Sequence, residues 1–156
     1  METPDVRRLR RSLALAWGNT RTGNRPFGAV VTLGDRVVSM GVNRAISDGD
    51  PTAHAEIVAI RRATRRLRTT DLRDCTLYTS CEPCLMCAGA IMWSKIVRVY
   101  FVATREVALR YGFDDRADPS VVRAYVAHAG IHATAMLPDE ADGPFLAWQQ
   151  RIETIA

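Results

Sequence analysis

The stretch CTLYTSCEPCLMCAGAIMWSKIVRVYFV, residues 75–102, decides the fold. Cys75 to Thr79 reads as a short strand. Pro83 is placed to sit near the first turn of a helix that runs to about Trp93, where its missing N–H costs nothing. Ile96 to Val102 is rich in β-branched residues and reads as a second strand. Working outward, Phe27–Leu33 and Val37–Val42 are apolar runs separated by Gly34-Asp35-Arg36, which predicts a hairpin. Ala45 to Thr52 is rich in Ser, Asp, Gly and Pro and reads as a loop. His54 to Leu67 keeps Ile57, Val58, Ile60 and Leu67 near helical spacing, with Arg61, Arg62, Arg65 and Arg66 on the wet side. Asp5 to Trp17 has the pattern of an amphipathic helix. Downstream come a helix over 105–110, another after Pro119, a strand over Ile131–Leu137 and a last helix from Pro144 to Ile152. The order α-β-β-α-β-α-β-α-α-β-α predicts an α/β domain of three layers, α/β/α, on a five-stranded mixed sheet.

The chain has 156 residues, the size of one domain spanning 1–156. Hydrophobic residues make up 47% and charged residues 24%, which excludes collagen-like, disordered and coiled-coil classes. The longest run without a charged residue, Ala124–Pro138, is short of the roughly 20 apolar residues of a membrane span. The N-terminal residues start acidic and lack a long apolar segment, which predicts no signal peptide and a cytoplasmic protein. The net charge of +4 permits nucleic-acid binding, but the charge is spread along the chain and does not argue for it.

The four cysteines, Cys75, Cys81, Cys84 and Cys87, cluster in a chain read as cytoplasmic, where such a group points to metal or catalysis rather than disulfides. His54-Ala55-Glu56 and Pro83-Cys84-Leu85-Met86-Cys87 each fall at an expected helix N-terminus. Zn²⁺ accepts imidazole nitrogen and thiolate sulfur in tetrahedral geometry, and a catalytic site keeps a fourth position for water. His54, Cys84 and Cys87 supply three ligands. The helix dipole favours thiolate at this end. Glu56 is then near the metal without being a ligand, placed to take a proton from water and pass it to a substrate nitrogen. A site of four cysteines would leave His54 and Glu56 without a purpose, so Cys75 and Cys81 are read as small core residues.

The pattern H-x-E…P-C-x-x-C is the signature of zinc nucleobase deaminases. Through PFGAV (26–30), DPTAHAE (50–56) and TSCEPCLMCAGAIMW (79–93) the chain resembles the cytidine-deaminase-like superfamily. Tyr78–Cys84, Trp93, Gly112-Phe113-Asp114-Asp115, Pro144-Phe145 and Ala147-Trp148 narrow the resemblance to the bacterial guanine deaminases of this fold. That resemblance implies zinc on His54, Cys84 and Cys87, with Glu56 as proton shuttle. It implies base contacts from Asn43, Ala55 and Asp115, with Phe27, Trp93 and Phe113 lining the pocket. It also implies a homodimer that exchanges C-terminal segments, here residues 138–156, in which an acidic residue assists proton transfer. Glu140 matches by its place four residues before Pro144. The expected reaction is guanine to xanthine and ammonia, on a small-molecule nucleobase.

The tRNA adenosine deaminases share nearly the same DPTAHAE and PCxMCAGA segments and form the rival reading. Arg61, Arg62, Arg65, Arg66 and Arg68 would then be a phosphate patch rather than a solvated helix face. The acids of Gly112–Asp115, and Asp139, Glu140, Asp142 and Glu153, stand against a polyanion, so nucleic acid is not the expected partner. Free cytosine, adenine or a nucleoside are further substrates the motif allows. A structural-zinc interaction module would keep the cysteines but gives Glu56 no role.

Overall fold

A computed structural model describes residues 1–155. The sheet has five strands in the order β2-β1-β3-β4-β5. They are β1 (Gly28–Leu33), β2 (Arg36–Val42), β3 (Cys75–Cys81), β4 (Arg98–Ala103) and β5 (His132–Ala135). β1 pairs antiparallel with both β2 and β3, while β3, β4 and β5 run parallel, so the sheet is mixed. β3 is buried at every residue. The strand is covered on both faces, and Thr76, Thr79 and Ser80 are buried along with its apolar residues.

On one face lie α3 (Ala55–Leu67), α4 (Leu85–Trp93) and α6 (Pro119–His128). They close a core of Ala55, Ala59, Ile60, Leu77, Ile91, Val99 and Ile131. On the other lie α1 (Pro4–Thr20), α5 (Arg105–Arg110) and α7 (Gly143–Ile155). Their core holds Leu9, Leu13, Val30, Tyr78, Val102 and Phe145. A short helix α2, Ala45–Asp48, completes the set. The three-layer α/β/α arrangement expected from the order of elements is the one observed.

Local chemistry sets the ends. Thr3 caps α1 by accepting from Val6 N at 3.3 Å, and Pro4 occupies the first turn. The β1–β2 turn is tighter than expected: Leu33 pairs with Arg36, leaving only Gly34 and Asp35 in the loop, and Gly34 takes φ +56°. Pro83 lies one residue ahead of the N-cap Cys84 rather than inside the first turn of α4. The segment 45–52, expected as loop, starts with α2, ended by Gly49 at φ +62°. Gly41 on β2 seats α3: a Cβ there would stand 2.4 Å from Ala55 O and 2.6 Å from Ala59 N.

The C-terminal segment departs from the extended arm its prolines predict. Pro138–Glu140 forms a 3₁₀ turn, and α7 packs on α1 of its own chain. Residue 156, the end of the segment expected to exchange, lies outside the described residues. No helix among the described residues is long and apolar enough to cross a membrane.

Candidate active site

His54 and Cys84 are the N-cap residues of α3 and α4, and neither helix has a side-chain cap bond there. Both have extended backbone, with ψ 158° and 172°, which turns each side chain away from its own helix axis. Cys87 follows one turn into α4 and is fully buried. The sheet brings these two helix starts together at one end of β3. His54 Nδ1 stands 3.6 Å from Cys84 Sγ and 3.6 Å from Cys87 Sγ. A tetrahedral ion with bonds of about 2.0–2.1 Å to nitrogen and about 2.3 Å to sulfur has an N···S edge of about 3.6 Å. The donor set and its edges therefore fit zinc, and they are the one candidate metal cluster among the described residues. Cys75 and Cys81 are buried in β3 and stay outside that cluster.

The thiols are electrically unequal without metal. Cys84 is drawn down to about 4 by a hydrogen bond from the Cys87 thiol and by His54. Cys87 is pushed up by its neighbouring thiolate and by burial. His54 is raised by its bond to Cys84, against the effect of burial. Cys81 is pushed up to about 12, chiefly by burial.

Glu56 lies in the first turn of α3 and is 5% exposed. Thr79 Oγ1 donates to its Oε1 at 2.9 Å, and Oε2 lies 3.4 Å from Cys87 Sγ. Burial raises its carboxyl above the usual range, the Cys84 thiolate adds to this, and His54 and Thr79 oppose it. A carboxyl so placed can hold a proton closer to neutrality than a surface acid does. Thr79 opens the TSCEPC motif, which by itself gives it no role; its contact with Glu56 comes from the packing of β3 against α3.

These groups open into a cavity of about 170 Å³. Phe27, Asn43, His54, Glu56, Cys84, Phe113 and Asp115, all named from the sequence, are brought together in its lining. Asn43 is buried; its Oδ1 accepts from Ala45 N, and its Nδ2 has no protein partner among the described residues. Phe27 and Phe113 meet edge to face at 5.0 Å, and Phe145 backs both. Ala55 is fully buried between His54 and Glu56 and is not part of the lining.

Two expected residues lie elsewhere. Trp93 ends α4 and is 81% exposed, outside the cavity wall of its own chain. Glu140 is held by Arg10 at 2.6 Å, also outside the wall. Conversely, Arg25 and Arg105 line the cavity without having been singled out, Glu82 and Asp114 line it from motifs that assign them no role, and Cys81, read as a small core residue, also reaches the wall.

The chain is 38% identical over 142 residues to guanine deaminase of Bacillus subtilis, covering 90% of this chain and 91% of that protein. It is 40% identical over 116 residues to tRNA-specific adenosine deaminase of Haemophilus influenzae, covering 71% and 67%. Among solved structures, guanine deaminase from Nitrosomonas europaea superposes with a TM-score of 0.83 at 29% identity, over 97% of this chain and 85% of that one. The family described as the cytidine and deoxycytidylate deaminase zinc-binding region matches residues 3–103, the span that carries both helix starts of the metal cluster. The chain belongs to that deaminase family.

Proposed function

We propose that this protein hydrolyses guanine to xanthine and ammonia, with zinc held by His54, Cys84 and Cys87. The observation that carries the reading is a His-Cys-Cys cluster of zinc-like dimensions with a buried carboxyl beside it, opening into a cavity that Asp115 also lines. The guanine deaminase relative is matched over nearly the whole chain, including the Gly112–Asp115 segment that supplies this wall.

Zinc, when bound, lowers the pKa of water so that it attacks the amine-bearing ring carbon at neutral pH. Glu56 takes the proton released by that water and delivers it to the adjacent ring nitrogen, then carries the second proton, from the hydroxyl left on that carbon, to the departing amine as the carbonyl forms. Thr79 fixes the Glu56 carboxyl by its hydrogen bond, so the acid does not have to reorient between the two transfers. Phe27 and Phe113 form the apolar wall for a flat base. Asn43 offers the free donors of its Nδ2, and Asp115 accepts from N–H groups of the purine.

The reading includes a homodimer. Leu85, Met86, Met92 and Trp93 leave an exposed apolar face on α4, the helix that carries two of the ligands. Exchange of residues 138–156 would rebuild the α1–α7 contact between two chains and bring Glu140 to a second site, at little cost because the same contacts are remade. Mixing Glu56→Gln with Glu140→Gln protein under conditions that re-form dimers should restore part of the activity. A monomer by ultracentrifugation, or no rescue in demonstrated heterodimers, removes the exchange.

The deciding experiment is ammonia release from a panel of guanine, adenine, cytosine, their nucleosides and a tRNA anticodon stem-loop. Guanine should be fastest. Faster release from the stem-loop than from any free base or nucleoside would move the assignment to tRNA.

A further inference from the structure

Arg105 is the first residue of α5 and is only 7% exposed. It lines the cavity together with Asp115, and its Nη2 lies 2.9 Å from Asp115 Oδ2. The side chains of this pair are 8% and 21% exposed. By contrast, the arginines that pair with Glu140, Asp48 and Asp71 have side chains 52%, 44% and 62% exposed. Surface pairs of that kind contribute little. A guanidinium withdrawn from water is costly unless a partner compensates it, so a buried one in a cavity wall calls for a reason.

The surroundings hold Arg105 in place. Its backbone N–H donates to Glu82 Oε2 at 2.9 Å. Glu82 is itself buried and gripped by Arg123, at 2.7 Å on each oxygen. Asp115 is held from two sides. Its Oδ1 accepts from Ala117 N at 3.3 Å. Its Oδ2 is closed off from solvent and faces Arg105 with no aligned hydrogen bond. A carboxylate hydrogen-bonded at one oxygen and ion-paired at the other is restrained in rotation about its Cβ–Cγ bond, and Oδ1 keeps a lone pair for a further donor. Glu56, Cys84 and Glu82 line the same cavity, so an unbalanced Asp115 would add negative charge to a wall already rich in it.

We infer that Arg105 is the positioning residue for substrate specificity: it balances the charge of Asp115 and restrains its rotation, so that Asp115 presents Oδ1 to an N–H donor of the purine ring. The inference rests on the guanine reading above. Asp115 acts on binding rather than on the proton transfers of Glu56, so its loss of alignment should appear in KM before kcat.

The test is a double-mutant cycle on the zinc-loaded enzyme with guanine as substrate, accompanied by the Kd of 8-azaguanine, the zinc content and the melting temperature. Arg105→Gln should raise KM and Kd about ten- to hundredfold, the range for one charge-assisted hydrogen bond, with kcat within about threefold. Arg105→Lys should recover part of the loss, because it keeps the charge but not the fork. In an Asp115→Asn background, Arg105→Gln should add less than about twofold, since its partner is already gone. Independent, multiplying effects of the two substitutions, or a loss confined to kcat, would overturn the inference. Should Arg105→Gln fail to fold, Arg105→Lys with and without Asp115→Asn decides: an equal effect in both backgrounds overturns it. If the unmodified enzyme prefers another base, the guanine reading falls, and the same cycle on that base judges the pair by its coupling alone.

Discussion

Phe145→Ala tests whether α7 builds the cavity wall. Phe145 is 2% exposed, stacks on Tyr111 at 5.2 Å, and meets Phe113 at 5.6 Å and Phe27 at 5.8 Å. Removing a fully buried phenyl ring costs about 3–5 kcal/mol, from lost transfer energy and the cavity left behind. For a domain of this size each kcal/mol lowers the melting temperature by about 2–4 °C, so a drop of roughly 6–20 °C is expected. Thermal unfolding followed by circular dichroism on the zinc-loaded protein measures it. The neighbouring Leu146, 47% exposed, serves as control, and Leu146→Ala should stay within about 0.5 kcal/mol. Because Phe27 and Phe113 lose their backing, KM for the base should also rise, while zinc content stays near one per chain. A drop smaller than about 3 °C, or an unchanged KM in a protein that has lost stability, would refute the claim that Phe145 supports the wall.

Glu56→Gln should fold and keep zinc but lose at least the ~10²–10⁴-fold of general acid–base catalysis, checked by ammonia release and metal analysis; near-normal turnover would sink the proton-transfer assignment. Cys84→Ser and Cys87→Ser should each lose metal and activity, whereas Cys81→Ser should leave metal content near one, measured by plasma emission. In metal-stripped protein at pH 6, Cys84, drawn down to about 4, is ionised, while Cys81, pushed up to about 12, is not. Iodoacetamide should therefore mark Cys84 first in peptide mapping, and prior zinc loading should protect it. Preferential labelling of Cys81 would contradict the assigned charge distribution.

The metal cluster was legible because both of its fragments are local. H-A-E and P-C-L-M-C each occupy one helix start, and an imidazole with two thiols is a donor set that suits zinc. The alternation of strands and helices was equally plain, since period and β-branching are read over short windows. What escaped depends on closure in three dimensions. Arg105 is one of twenty arginines, and nothing in its neighbours marks it as buried; only the return of the loop to Asp115 gives it a partner. Thr79 meets Glu56 through the packing of β3 against α3 rather than sequence spacing. Trp93 is the last residue of an apolar helix and is expected in the pocket wall from the resemblance, yet it is exposed in the single chain. The prolines at 138 and 144 predicted an extended arm, but proline also suits the start of a 3₁₀ turn, and that is where Pro138 lies.

Gly41 bears on how this site is inherited. The residue holds no chemical group that could touch a base or a metal, and a scan for reactive side chains would pass over it. Yet the first turn of α3, with Ala55 between His54 and Glu56, rests on its bare Cα, and any L-residue in its place must add an atom where 2.4 Å is free. Replacement would lift the helix start that carries His54 and Glu56 together, shifting both relative to Cys84 and Cys87. Selection for deamination is thus exerted on a strand position through the height of a helix above it. A mutational scan should find Gly41 as intolerant as the ligands themselves.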